Sequence, residues 1–267
     1  MTTHTPFNEW FRVRKTLMQE TRGHADADRI DRVMETLPSV IASCGDGSQT
    51  RRSVLKIARA LLPESPVVFA PCCPDYTHVD GRYTFTGLGD GVSLLAERQI
   101  RFLQPIAELL PEARILLLLA DQESEDVEIQ RAIRIDKATF DARIVHSLEA
   151  LQDRVRPLGW DARAMTTEVP TLLADEHRVI GELTQDQGKR SRLLSETHQR
   201  HAMYDRIRIT MPAEERFRRT VRTAAQYIAL AHAAMERRAL ICNHTTTNLS
   251  WYNDLDVAVL HNPVSVY

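Results

Sequence analysis

Cysteine is scarce in this chain, and its few positions suit neither a disulfide framework nor a metal. Only four occur in 267 residues, Cys44, Cys72, Cys73 and Cys242. They form no Cys-x-x-Cys pair and no zinc-ligand spacing, and adjacent cysteines bridge poorly to each other. The simpler reading is a reduced, cytoplasmic protein with no metal. Long apolar runs are also missing. No stretch approaches the roughly 20 residues of a membrane span, and the N-terminus has no basic region followed by an apolar core, so neither a membrane partner nor a secretory signal is expected. Glycine is low, at ten residues. No glycine-containing loop completes Gly-x-Gly-x-x-Gly or the Walker pattern, and no cofactor is expected. Charge of one sign is lacking too: 34 basic and 36 acidic residues leave a net charge of −2, which gives no global pull towards nucleic acid. There is no internal repeat and no low-complexity tract.

What is present centres on residues 66 to 121. Pro66-Val67-Val68-Phe69-Ala70 is a short apolar run rich in β-formers. It gives way to Pro71-Cys72-Cys73-Pro74-Asp75-Tyr76 and a polar loop through Gly87-Leu88-Gly89-Asp90-Gly91. From Val92 to Leu110 apolar residues recur at helical spacing, with Pro105 as a candidate kink. Ile115 to Ala120 is continuously apolar, the pattern of a parallel strand buried on both faces. Strand, helix and buried strand make a βαβ unit. In such sheets ligands bind beyond the carboxyl ends of the strands, which directs attention to Cys72–Tyr76 and to Asp121.

The remaining chain fits one Rossmann-like α/β domain over 1–267, with a mainly parallel sheet, helices on both faces and a helical extension at 1–62. A helix with a break at Pro38 is expected over 27–43, and another before Pro63. After Asp121 an acidic loop runs from Glu123 to Glu128. Helices follow over 138–156, 169–208 (interrupted near Gly188) and 214–237, with short strands at 161–167, 239–243 and 257–260.

Several residues are candidates for chemistry. Cys72 follows a buried strand and is either a nucleophile, if a cation or helix N-terminus lowers its pKa, or a small buried hydrophobe. Asp75 and Tyr76 bring an acceptor and a donor to the same strand end. Asp121 is a substrate-binding carboxylate or a helix cap. His244, Thr246, Asn248, Tyr252 and Asn253 form an unusually polar stretch after the strand at 239–243. Arg216, Arg218, Arg219 and Arg222 crowd one helix. They are read as a stripe for a phosphate backbone or as an ordinary solvated face.

This layout resembles the tRNA-dependent cyclodipeptide synthases, which are themselves similar to the catalytic domain of class I tyrosyl- and tryptophanyl-tRNA synthetases. The resemblance spans roughly 66 to 254. Ala70-Pro71-Cys72-Cys73-Pro74-Asp75-Tyr76 stands where that family has a Gly-x-Ser-x-x-Asn-Ser-Tyr motif, and Cys72 takes the place of the acylated serine. The resemblance implies catalytic roles for Cys72, Asp75, Tyr76, Tyr227, Glu236 and Tyr252, and an aminoacyl-tRNA partner. A second resemblance, on Phe69 to Asp75 and Leu88-Gly89-Asp90, is to isonitrile synthases, which implies conversion of an amino acid amine to an isonitrile. A non-catalytic Rossmann-like binding protein for a small molecule is the third expectation. Oligomeric state is not legible in the sequence.

Overall fold

The computed structural model describes residues 6–21, 27–43, 51–72, 74–79, 82–86, 92–206, 212–243, 251–252 and 255–261. Three helices come first: α1 (Pro6–Glu20), α2 (Ala27–Ser43) and α3 (Arg51–Leu61). The central unit follows as β1 (Val67–Cys72), a hairpin of β2 (Asp75–Val79) and β3 (Arg82–Thr86), α4 (Leu94–Leu109) and β4 (Arg114–Leu119). A 3-10 turn over Asp121–Glu125 leads into α5 (Val127–Ile133) and α6 (Lys137–Val155). Then come β5 (Asp161–Ala164), α7 (Met165–Glu168), α8 (Leu172–Gln185), α9 (Gln187–Arg206), α10 (Ala213–Glu236), β6 (Leu240–Asn243) and β7 (Ala258–His261).

The five strands other than the hairpin form one all-parallel sheet in the order β5-β4-β1-β6-β7. The chain thus starts at the centre, winds outwards through β4 and β5, and returns to the other side of β1 through β6 and β7. This is the doubly wound, Rossmann-like order, and its direction reverses between β1 and β6. The fold expected from the two buried-strand runs is the fold observed, with β1 and β4 paired in parallel from Val67–Arg114 to Cys72–Leu119.

Strand alternation divides the core into two layers. Val68, Ala70, Cys72, Ile115, Leu117, Leu240 and Cys242 pack with apolar residues of α1, α2, α3 and α4. Phe69, Leu116, Leu118, Ala120 and Ile241 pack with α7, α8 and α10. Helices α1–α3 are therefore built into the first layer, through residues such as Val13, Leu17, Ile30, Leu37, Ile57 and Leu61. Buried Arg29 of α2 ties this layer to the end of α3. Its guanidinium donates to the carbonyls of Leu61 (3.1 Å), Leu62 and Pro63 and pairs with Glu112. A cation thereby satisfies the open carbonyls at a helix C-terminus.

Three local expectations change. The stretch after β1, read as a loop, holds the β2–β3 hairpin, with Asp75 opposite Thr86 and Val79 opposite Arg82. Pro38 lies inside α2 rather than breaking it. The acidic stretch from Glu123 to Glu128 is a 3-10 turn followed by the start of α5, where the Asp126 carboxylate caps the helix by accepting from the amides of Glu128 (3.0 Å) and Ile129 (3.2 Å). Among the described residues no helix is long and apolar enough to cross a membrane.

Candidate functional site

The strand order reverses between β1 and β6, and in open α/β sheets ligands bind beyond the carboxyl ends at such a reversal. β1 ends at Cys72 and β6 at Asn243. The junction is closed from the α4 side by Gln99, a fully buried residue whose amide nitrogen donates to the carbonyls of Cys242 (2.7 Å) and Pro71 (3.4 Å). One side chain thus bridges the next-to-last residues of both strands. Gln99 lies between Ala96 and Leu103 on the buried stripe of α4. A polar residue on an apolar stripe was the signal for it in the sequence.

Cys72 is fully buried in the α4 layer, and its thiol donates to the Ala70 carbonyl at 3.4 Å. As an exposed nucleophile it is corrected to a packed small side chain: strand alternation turns Cys72 to the same face as Val68 and Ala70, under α4. Asp75 and Tyr76 open β2, three and four residues beyond it. Cys73, His244, Thr246, Asn248, Asn253 and the 87–91 loop lie outside the described residues.

On the other face, Tyr252 is buried against α10, and its ring meets Tyr227 edge-on, with centroids 5.8 Å apart at 82°. Burial, with the neighbouring Tyr227 adding to it, raises the Tyr252 pKa well above that of an ordinary phenol. Tyr252 is therefore a neutral hydroxyl. These two tyrosines, far apart in sequence, are brought together. Glu236 is not. It is the last residue of α10 and exposed, and β6 begins just beyond it at Leu240, so it stands at the amino edge of the sheet, opposite the strand ends.

Asp121 is held by Thr166. One carboxylate oxygen accepts from the Thr166 amide at 2.9 Å and the other from the Thr166 hydroxyl. It ties the end of β4 to the start of α7, with one donor on each oxygen.

The arginines of α10 do not form an open stripe. Arg219 is buried and paired with Asp126, with Glu123 at 4.0 Å. Arg222 reaches Glu176 at 3.1 Å, Asp126 at 3.6 Å and Glu128 at 3.9 Å. Arg218 pairs with Glu128 at 3.0 Å and Glu214 at 2.8 Å. Arg216 is half-buried on the same helix. The acidic segment and the basic helix are two halves of one internal network. The sequence shows both runs but not that they face each other. Burial works to raise the Asp126 pKa, yet Arg219, Arg222 and the two amide donors hold it below the usual carboxylate range. Glu176 goes the other way. Burial pushes its pKa up, and Gln226 and Arg222 offset that only in part. Among the described residues no group of three or more His, Cys, Asp or Glu side chains is arranged to hold a metal; here the carboxylates converge on guanidinium groups instead.

Comparison of the chain with protein-family models, with curated proteins and with solved structures finds no match.

Proposed function

We propose that this chain is a Rossmann-like biosynthetic enzyme that acts on an amino acid or on the aminoacyl group of an aminoacyl-tRNA, passing the acyl group to an amine to form a cyclodipeptide or another amide. The supporting observation is the position of the strand-order reversal. It lies between β1 and β6, the two strands that lead into the polar stretches carrying Asp75 and Tyr76 on one side and His244, Thr246, Asn248 and Asn253 on the other. In this reading the amine attacks the ester carbonyl, the ribose hydroxyl of the tRNA leaves, and a proton passes from amine to leaving oxygen. Groups with donor and acceptor capacity at both strand ends suit that transfer.

Cys72 has no part in this scheme as an acylated nucleophile, because its thiol is sealed under α4. Arg219 and Arg222 are committed to internal carboxylates and Arg218 is engaged by Glu128 and Glu214, so tRNA phosphates would be met by the exposed Lys189 and Arg190 at the start of α9. The same commitment favours a second reading in which the substrate is a free amino acid, as for an isonitrile synthase. Mass spectrometry of metabolites from cells expressing the protein separates the two. New diketopiperazines or amides are expected, isonitriles would carry the second reading, and no new product would overturn both in favour of a non-catalytic binding protein.

A further inference from the structure

A cleft of about 450 Å³ opens at the amino ends of β6 and β7, the edge of the sheet opposite the candidate site. Three cations line it, Lys56 and Arg59 of α3 and Arg238 just beyond α10, against a single carboxylate, that of Asp256. Lys56 and Arg59, three residues apart, share one face of α3. Ala258 and the 38%-exposed Met235 give the cleft an apolar side. In a chain of net charge −2 this is a local excess of positive charge.

Two of the three cations are engaged at the rim. Arg59 donates to both oxygens of Glu20, at 2.9 and 2.5 Å. Lys56 donates to the Leu255 carbonyl at 2.9 Å and lies 3.0 Å from Asp256, whose charge also acts on Arg59. The Asp256 side chain is 80% exposed, and a pair open to water holds weakly, so a stronger anion can displace it. Arg238 is different: among the described residues its side chain has neither an ion pair nor a hydrogen bond. Its backbone is left-handed, with φ at 52°. It closes α10, its amide donating to the Met235 carbonyl at 3.2 Å and the next amide, of Ala239, to the Ala234 carbonyl at 2.8 Å. Glycine is the usual residue at this position of a helix end. An arginine there forgoes the ease with which glycine adopts the conformation, and no contact of its guanidinium with the described residues compensates.

We propose that this cleft binds the phosphate group of a small phosphorylated metabolite, held by Arg238, Lys56 and Arg59, with the organic part against Met235 and Ala258. A phosphate monoester carries nearly two negative charges at neutral pH and three strong acceptor oxygens. That matches three cations offset by one carboxylate, and the volume falls in the range of small-molecule pockets. The cleft lies away from the strand ends at Cys72 and Asn243, so the proposal stands independently of the reaction assigned there.

The probes are inorganic phosphate, phenyl phosphate and adenosine monophosphate, beside phenol and adenosine, titrated by calorimetry into the full-length protein at low salt. At least one phosphate compound should bind, and its uncharged counterpart at least about tenfold more weakly. Tighter binding of the esters identifies a phosphorylated metabolite as the ligand, and equal binding of inorganic phosphate the free anion. Arg238→Gly should lower the affinity at least about tenfold without lowering the melting temperature, because glycine suits the left-handed backbone. Arg238→Asn, which also tolerates that conformation, repeats the test with a side chain in place, and Arg238→Lys should retain most of the affinity. Asp256→Asn should tighten binding, since it removes the competing carboxylate of the lining. Absence of binding by every phosphate compound, equal binding of phenol or adenosine, or undiminished binding by both Arg238→Gly and Arg238→Asn would each overturn the site.

Discussion

Replacing Arg219 by methionine separates an internal ion network from a nucleic-acid stripe. Arg219 is 8% exposed and paired with Asp126, itself 3% exposed. Methionine fills much of the same volume, so the main effect is on charge. Asp126 keeps its two amide donors and Arg222 at 3.6 Å, but loses its closest cation. Breaking a buried pair from one side costs about 3 kcal/mol or somewhat more. For a chain of this length each kcal/mol lowers Tm by about 2–4 °C, so a fall of roughly 6–12 °C is expected. With a urea m-value of about 3 kcal/mol per M, the midpoint should drop by about 1 M. Both are read by circular dichroism. Adding Asp126→Leu should return about 1–3 kcal/mol, since the stranded carboxylate is then gone. A side chain that grips phosphates from the surface would behave differently, with Arg219→Met within about 0.5 kcal/mol of the parent and a flatter salt dependence of RNA binding. That outcome would refute the clasp between the acidic segment and α10.

Two further predictions concern thiols and protons. Cys72 and Cys242 are fully buried, so neither should react with a water-soluble alkylating reagent in the native protein, and both should label in urea; peptide mapping that finds rapid native labelling of Cys72 would restore it as a reactive thiol. The lowered Asp126 pKa means its stabilisation is present above the ordinary carboxylate range and lost as pH falls through the lowered value, whereas the raised Glu176 pKa means stability declines as pH rises from the ordinary carboxylate range through the raised one. Urea midpoints against pH should accordingly lose the acidic limb in Asp126→Asn and the declining limb in Glu176→Gln, and an unchanged profile in both variants would show that these groups do not govern it.

The local signals of this chain were strong where one interaction dominates. Two continuous apolar runs around an amphipathic helix specify buried parallel strands, because only a strand covered on both faces is apolar at every position. The hairpin after β1 was equally legible. Val79-Asp80-Gly81-Arg82, with alternating Tyr, Thr and Phe beyond it, carries the Asp-Gly pair that favours a two-residue turn between paired strands. Polar residues on buried stripes, Gln99 and Gln226, also carried a signal, since a helix hides an amide only where a partner waits for it.

The sequence by itself determined the long helices, the strands of the parallel sheet with its central pair, and the candidate strand ends. These follow from periodicity and turn chemistry within a few residues of each position. Tertiary structure alone decided which distant groups meet. The acidic run at 123–128 and the arginines of α10 each read as a surface feature, and their mutual neutralisation depends on α10 crossing the face beside β4's carboxyl end. The same crossing sets Tyr227 against Tyr252 and Gln226 between Glu176 and Gln122. Opposite charges and paired amides gain energy only at contact distance. That distance is set by the packing of whole elements, to which composition and spacing along the chain are blind.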